Sequence, residues 1–243
     1  MRFFGLLGYP LSHSFSQNYF SEKFARQGIR DCSYQNYSIP DIAELPALFE
    51  KYPALAGLNI TIPYKKQVIP FLTEISPVVA AIGACNCMHI RNSERIGYNT
   101  DIIGFEGSLK RFIRPHHTRA LILGTGGASA AVAYVLREMD IAFSFVSRHP
   151  APGVLDYAAL DKSVLETHHL LINTTPLGMY PDTKTAPPIP YEWIGRWHHL
   201  YDLIYNPAET VFLAKGRAQG ATVQNGLEML ELQAEESWRI WNT

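Results

Sequence analysis

Arg119-Ala120-Leu121-Ile122-Leu123 runs directly into Gly124-Thr125-Gly126-Gly127-Ala128-Ser129, and Ala130 to Met139 follows with helical spacing. The apolar run reads as a buried strand, the glycines as a tight turn, and the continuation as a helix. This order is the context a dinucleotide site needs. Glycine lets backbone approach a pyrophosphate, and the helix start presents N–H groups and the positive end of its dipole. Ser129 stands where Gly-x-Gly-x-x-Gly has its third glycine, so a tight turn without a nucleotide stays open as the alternative. The next strand, Phe143 to Ser147, selects the cofactor. NAD sites place Asp or Glu at its end for the ribose 2′-hydroxyl. Here stand Ser147-Arg148-His149, with no carboxylate and an arginine able to fork onto a 2′-phosphate. That favours NADP(H).

The same alternation of strand and helix extends to both ends of the chain, which predicts an α/β protein with mostly parallel sheet. Strands are expected at 2–8, 32–39, 84–90, 169–174, 199–204 and 222–224. Helices are expected from Ser14 to Gly28, with Ser14 or Ser16 as N-cap, and from Asp41 to Tyr52. Further helices are expected from Pro77, from Ile102 to about Ile113, from Glu209 to Gln219, and from Gly226 to Trp241. Gly57 punctuates the start of a further strand. In it Leu58, Ile60 and Ile62 alternate with Asn59 and Thr61, the period of a half-buried strand. Pro63 ends that strand and suits the first turn of a helix from Lys65 to Leu72. Thr61 and Lys65 therefore sit at the carboxyl end of a parallel strand, where open α/β sheets hold ligands.

Composition excludes several classes. Of 243 residues, 47% are hydrophobic and 18% charged, with a net charge of −1, which is globular and offers no basic excess for nucleic acid. No apolar run is long enough for a membrane-spanning helix. The apolar N-terminus lacks a cleavage signature and reads as a first strand. Three cysteines, Cys32, Cys85 and Cys87, do not make a disulfide framework and point to a reducing cytoplasm. No metal site is expected, because the doublets His116-His117, His168-His169 and His198-His199 place neighbouring rings in different directions.

Lys65 and Asp101 are the candidate acid–base pair, since hydride exchange between a carbonyl and an alcohol needs a proton at the oxygen. A solvated lysine and a helix-capping aspartate are the alternatives. Ser14, Ser16, Thr61 and Asn86 are small polar groups able to bind a polyhydroxylated ligand, and each could equally be a cap or turn residue.

Eight segments, taken in order, resemble shikimate dehydrogenases. They are Gly8-Tyr9-Pro10 to Ser12-His13-Ser14-Phe15-Ser16; Asn59 to Lys65; Gly83-Ala84-Cys85-Asn86; Gly97-Tyr98-Asn99-Thr100-Asp101 with Gly104-Phe105; Gly124 to Ser129; Asn173-Thr174-Thr175-Pro176-Leu177-Gly178-Met179; Asp202 to Pro207 with Thr210; and Asn225-Gly226 to Met229-Leu230 with Gln233-Ala234. The resemblance implies NADPH-dependent, reversible reduction of 3-dehydroshikimate to shikimate in aromatic amino-acid biosynthesis, with Lys65 and Asp101 as the catalytic pair. It implies substrate contacts at Ser14, Ser16, Thr61, Asn86, Tyr205 and Gln233. It implies cofactor contacts at Gly124, Thr125, Gly126, Gly127, Ala128, Ser147, Arg148, His149, Leu203 and Gly226. It also implies an N-terminal open α/β substrate domain (1–101 plus 226–243), a Rossmann-like NADP-binding domain (102–225), and a C-terminal helix returning to the first domain. The expected active species is a monomer or homodimer acting on a small molecule.

The chain departs from the family pattern in three places. Ser147-Arg148-His149-Pro150 replaces Asn-Arg-Thr with a second base nearby, which weakens the phosphate clamp; Cys87 replaces Thr; Gln17 replaces Pro. A quinate or dual-specificity dehydrogenase and a non-catalytic sensor are the rival readings. The serines lean toward shikimate, and retention of Lys65 with Asp101 speaks against a sensor.

Overall fold

The computed structural model describes residues 1–11, 15–149 and 151–243, so the candidate Ser14 lies outside the described residues. The chain divides into two compact units, one of Met1–Thr100 with Ala234–Thr243 and one of Asp101–Gln233.

The first unit carries β1 (Arg2–Gly8), α1 (Phe15–Gln27), β2 (Cys32–Ser38), α2 (Leu45–Lys51), β3 (Leu55–Ile60), β4 (Glu74–Ile75), α3 (Pro77–Ile82), β5 (Cys87–Arg91) and β6 (Glu94–Tyr98). Its strands lie in the order β2-β1-β3-β5-β6-β4. β1 pairs in parallel with β2 and β3, but β5 is antiparallel to both β3 and β6. β4 pairs in parallel with β6, so this sheet is mixed, and the two ladders of β5 are the ones that depart from the mostly parallel arrangement. The departure comes from a hairpin the sequence reading misses. Asn92 and Ser93 both have positive φ, 49° and 69°, as a two-residue hairpin turn needs, yet they lack the Asn-Gly signature.

Alternate residues of these strands enter two cores. Leu7, Leu58, Ile60 and Met88 face one, while Phe4 and Cys87 face an aromatic cluster with Phe20, Tyr34 and Trp241. Trp241 stacks on Phe4 with ring centroids 4.9 Å apart and donates its indole N–H to the Met88 carbonyl at 3.0 Å. Gly57 does not punctuate the strand. It lies inside β3, and a Cβ there would come 2.3 Å from the Trp241 indole nitrogen. Gly57→Ala is accordingly expected to lower unfolding stability by about 1–3 kcal/mol through overpacking, measured by denaturant titration. An unchanged midpoint would contradict this packing.

The stretch after β3 also differs from expectation. β3 stops at Ile60, Asn59 is buried, and Ile62 is 71% exposed, so the strict alternation fails beyond Ile60. No α-helix forms over 65–72. The segment is a run of turns closing in a 3-10 turn at Ile69–Phe71. Pro70 has no N–H to give, and the Lys65 carbonyl accepts from Cys85 N at 2.7 Å instead of from a helical neighbour.

The second unit begins with α4 (Asp101–Leu109) and continues through β7 (Arg119–Leu123), α5 (Gly127–Glu138), β8 (Ala142–Val146), β9 (Val154–Leu155), α6 (Lys162–Thr167), β10 (Leu170–Asn173), β11 (His199–Asp202), α7 (Val211–Ala218) and β12 (Thr222–Gln224). The last helix, α8 (Leu227–Ile240), starts here and its last turns belong to the first unit. The strand order is β12-β11-β10-β7-β8-β9 with all ladders parallel. Counted from β7, this is the doubly wound order 3-2-1-4-5-6. Ala120 and Ile122 pack with Phe105 and Val132 on one face, and Leu121 and Leu123 with Leu165 and Phe212 on the other. Burial on both faces explains why β7 reads as an unbroken apolar run.

Candidate active site

The carboxyl edge of the second unit's sheet is assembled by backbone. Gly124 N donates to Val146 O at 2.8 Å, Thr174 N to Leu123 O at 2.9 Å, Leu203 N to Asn173 O at 3.0 Å, and Gly226 N to Ile204 O at 3.0 Å. These bonds set the loops after β8, β7, β10, β11 and β12 in one row. Every cofactor candidate, Gly124 to Ala128, Ser147 to His149, Leu203 and Gly226, lies on that row. Ligands of open α/β sheets bind at this edge, where the strand order reverses between β7 and β10.

Two glycines are required by local geometry. Gly124 has φ +112°, and a Cβ on it would meet Thr174 Oγ1 at 2.7 Å; a Cβ on Gly226 would lie 2.1 Å from Leu203 O. Gly126 caps α5 without any side-chain hydrogen bond, and the space around its absent Cβ is open. Gly126 itself offers the first-turn N–H groups of this twelve-residue helix no side-chain acceptor, which fits a phosphate. The helix starts three residues earlier than the sequence reading places it, so Ser129 falls in its first turn. It is buried and hydrogen-bonds Thr174 Oγ1 at 2.7 Å, which accounts for serine at the third-glycine position. Arg148 and His149 are exposed at the end of β8, and the His149 N–H donates to Ser147 Oγ at 3.2 Å. Burial raises the Tyr157 phenol above its usual range, and the nearby Arg148 charge opposes that rise.

In the first unit, the ends of β3 and β5 hold Thr61, Lys65 and Asn86 together. Ile60 N donates to Asn86 O at 2.8 Å, Cys85 N to Lys65 O at 2.7 Å, and Thr61 N to Leu7 O at 2.9 Å. Asn86 Oδ1 accepts from Thr100 N at 2.6 Å, which anchors the residue just before Asp101. Ser16 is not a cap. It is the second residue of α1, buried, and hydrogen-bonds Tyr34. From there a buried chain of bonds runs on: Tyr34 Oη to Asn59 Oδ1 at 2.9 Å, Asn59 Nδ2 to Ser237 Oγ at 2.8 Å, and Ser237 to Thr100 Oγ1 at 3.2 Å. Lys23 and Tyr19 of α1 both reach Glu235 of α8, Lys23 at 2.5 Å. Sequence reasoning missed Asn59, Thr100 and Ser237; the one signal was a polar Asn59 inside an apolar strand.

Asp101 is the first residue of α4, not its cap, and is buried; a carboxylate there suits the positive end of the helix dipole. Gly104 lets this helix approach α8 closely, since a Cβ would meet Met229 O at 2.4 Å and Gln233 Cβ at 3.2 Å. Gln233 is buried and donates to Leu230 O at 2.9 Å. Tyr205 follows β11, and burial raises its phenol. The candidates therefore fall into two sets: Ser16, Thr61, Lys65 and Asn86 in the first unit, Asp101, Tyr205, Gln233 and the cofactor row in the second.

The histidine doublets meet at the opposite, amino edge of the second sheet. The His116 ring lies 4.3 Å from His117 and 5.6 Å from His169, and His169 lies 5.4 Å from His198. Among the described residues no group of three or more His, Cys, Asp or Glu is arranged to hold a metal.

Comparison with known proteins gives a consistent picture. Residues 6–88 match the family model described as shikimate dehydrogenase substrate binding domain. A protein of Moorella thermoacetica named shikimate dehydrogenase (NADP(+)) is 37% identical, over 97% of this chain and 86% of its own length. The crystal structure of shikimate 5-dehydrogenase from Thermus thermophilus in complex with NADP(H) and shikimate has a TM-score of 0.88 and 31% identity, covering 99% of this chain and 93% of that one. A chorismate mutase/shikimate 5-dehydrogenase fusion protein from Clostridium acetobutylicum has a TM-score of 0.89 and 36% identity, covering 100% and 91%.

Proposed function

Because the chain belongs to the shikimate dehydrogenase family, we propose that it catalyses the reversible, NADP-dependent reduction of 3-dehydroshikimate to shikimate in aromatic amino-acid biosynthesis. The likeness along almost the whole chain carries this reading. The first unit with the end of α8 binds the substrate, and the second binds the dinucleotide. Gly124, Thr125, Gly126, Gly127 and Ala128 hold the pyrophosphate against the start of α5, while Ser147, Arg148 and His149 take the 2′-phosphate. Leu203 and Gly226 complete the cofactor wall. When bound, NADPH supplies the hydride for the ring C3 carbon.

Lys65 and Asp101 act as the acid–base pair. In the direction of reduction Lys65 gives a proton to the C3 oxygen, and in oxidation it takes that proton back. Asp101 supports Lys65 in that proton exchange. Ser14, Ser16, Thr61, Asn86, Tyr205 and Gln233 hydrogen-bond the substrate's hydroxyls and carboxylate. One chain carries every group assigned here, as either a monomer or a homodimer requires. Three cysteines outside any disulfide among the described residues suit a reducing cytoplasm, and among the described residues no helix is long and apolar enough to cross a membrane.

The test is steady-state kinetics with shikimate and quinate against NADP and NAD. The expected result is turnover highest with shikimate and NADP. Tight shikimate binding without formation of reduced nicotinamide would overturn the reading, and equal efficiency on quinate would widen the substrate range.

A further inference from the structure

Asp202, the last residue of β11, has no part in the chemistry above, yet it is fully buried. Its carboxylate accepts three hydrogen bonds: from Asn173 Nδ2 at 3.0 Å, from Ile204 N at 3.0 Å, and from Thr210 Oγ1 at 2.6 Å. Among the described residues it forms no ion pair. A buried carboxylate without a cation is normally disfavoured against an apolar side chain of similar size. What stands around it explains its presence.

The three donors lie on three different segments. Asn173 ends β10, Ile204 sits in the loop after β11, and Thr210 is the N-cap of α7. Asn173 is itself oriented, because its Oδ1 accepts from Thr175 N at 3.0 Å and Thr175 Oγ1 at 2.6 Å. Its amide nitrogen is therefore the end left to face Asp202. Ile204 lies between Leu203 and Tyr205, and its carbonyl accepts from Gly226 N at 3.0 Å. One buried charge thus ties the loops after β10 and β11 to the start of α7, and through Ile204 to Gly226.

We infer that Asp202 is a positioning residue, holding Leu203 and Gly226 in the arrangement that binds the nicotinamide dinucleotide. The inference rests on the cofactor assignment proposed above. Asp202 acts through the backbone of its neighbours. All three donors are served by the ionised carboxylate; a protonated acid loses acceptor capacity. Burial pushes the Asp202 carboxyl up to about 6, against the pull of its hydrogen bonds. The groups facing it are Asn173, Thr210, the Ile204 N–H and the Tyr191 phenol, which burial and then the Asp202 charge keep protonated; the Lys215 ammonium lies over the Tyr191 ring at 4.6 Å. The binding arrangement should therefore loosen as the pH falls below 6.

The experiment compares the full-length chain with Asp202→Asn, Thr210→Val and Thr210→Ser. It reads KM and kcat for NADP at pH 5 to 8, with direct NADP binding by calorimetry. Asp202→Asn is expected to raise KM for NADP about tenfold at pH 7.5, the loss of one charged hydrogen bond, with a smaller change in kcat. It should also abolish the rise in KM that the unmodified chain shows below pH 6. Thr210→Val should raise KM in the same sense, and Thr210→Ser, which keeps the hydroxyl, should restore most of it. An Asp202→Asn protein with unchanged KM and an unchanged acid limb overturns the inference. If that variant does not fold, Thr210→Val at the original KM overturns it instead. An unmodified chain that binds NADP but does not oxidise shikimate refutes the proposed reaction, and the calorimetric comparison still decides Asp202. A chain that does not bind NADP refutes both.

Discussion

Lys65→Ala should lower kcat for shikimate oxidation by about a thousandfold, the usual scale of a lost general acid–base group, while KM for shikimate changes only a few-fold. The backbone argues that this loss will report chemistry and not misfolding. Lys65 lies in a run of turns held by main-chain bonds, Cys85 N to Lys65 O and Tyr64 N to Thr61 O at 2.8 Å, none of which needs the side chain. The adjacent Tyr64 is the buried anchor of the segment, its hydroxyl donating to Ile39 O at 2.6 Å. The side chain of Lys65 itself is only half-buried. Lys65→Met, which keeps most of the aliphatic stem, should lose as much activity as Lys65→Ala. Turnover within tenfold of the unmodified chain in either variant would remove Lys65 from the proton step.

Acid should unfold the second unit in a pH range where a typical carboxylate is still ionised. The groups responsible are His117 and His199, which are buried at the amino edge of the sheet. His117 Nδ1 accepts from Arg114 N at 3.1 Å, and His199 stands between Thr222 Oγ1 at 2.9 Å and Gln224 Oε1 at 3.3 Å with Phe112 stacked on its ring. Burial lowers both to about 4, and the neighbouring His116 and Arg114 charges push His117 further the same way. In the unfolded chain both return to about 6.5. The unfolded state therefore binds more protons between these values, and the stabilisation present above pH 6.5 is lost as the pH falls toward 4. Each residue contributes about 3 kcal/mol to that loss at 1.36 kcal/mol per pH unit. Asp202 works in the opposite sense. Its folded value is raised to about 6, so it returns about 3 kcal/mol over a similar range. The histidines win by a few kcal/mol, a large share of ordinary domain stability. Thermal unfolding followed from pH 7 to pH 4 should show a steep fall in Tm, made shallower by His117→Gln with His199→Gln. A flat Tm across that range would refute the argument.

Much of the second unit was legible because its signals are local. An apolar strand buried on both faces, a turn with a glycine at φ +112° and the helix that follows are each written in consecutive residues. So was the choice of Arg148 over an acidic residue at the end of the next strand. The first unit was harder. Its hairpin uses Asn92-Ser93 in place of a glycine-bearing turn, and its run of turns after Pro63 has the apolar spacing of a helix that Pro70 and the diverted Lys65 carbonyl prevent. Ser129 and Ser16 were read as a substituted glycine and a cap, but they lie inside their helices and bond to Thr174 and Tyr34.

The residue pattern by itself determined the α/β class, the glycine turn between β7 and α5, and the identity of the polar groups offered for chemistry. Only the tertiary structure decided which of those groups are held together, and by what. It placed Gly57 against Trp241, from the far end of the chain, and Gly226 against Leu203. It buried Asn59, Ser237 and Thr100 in one network, and it gathered three separated histidine doublets at one sheet edge. The reason is physical. A turn or a strand is selected by the dihedral preferences and hydrophobicity of neighbouring residues, but close approach and burial depend on elements far apart in the chain. The energy of a polar group depends on the partners that folding brings to it.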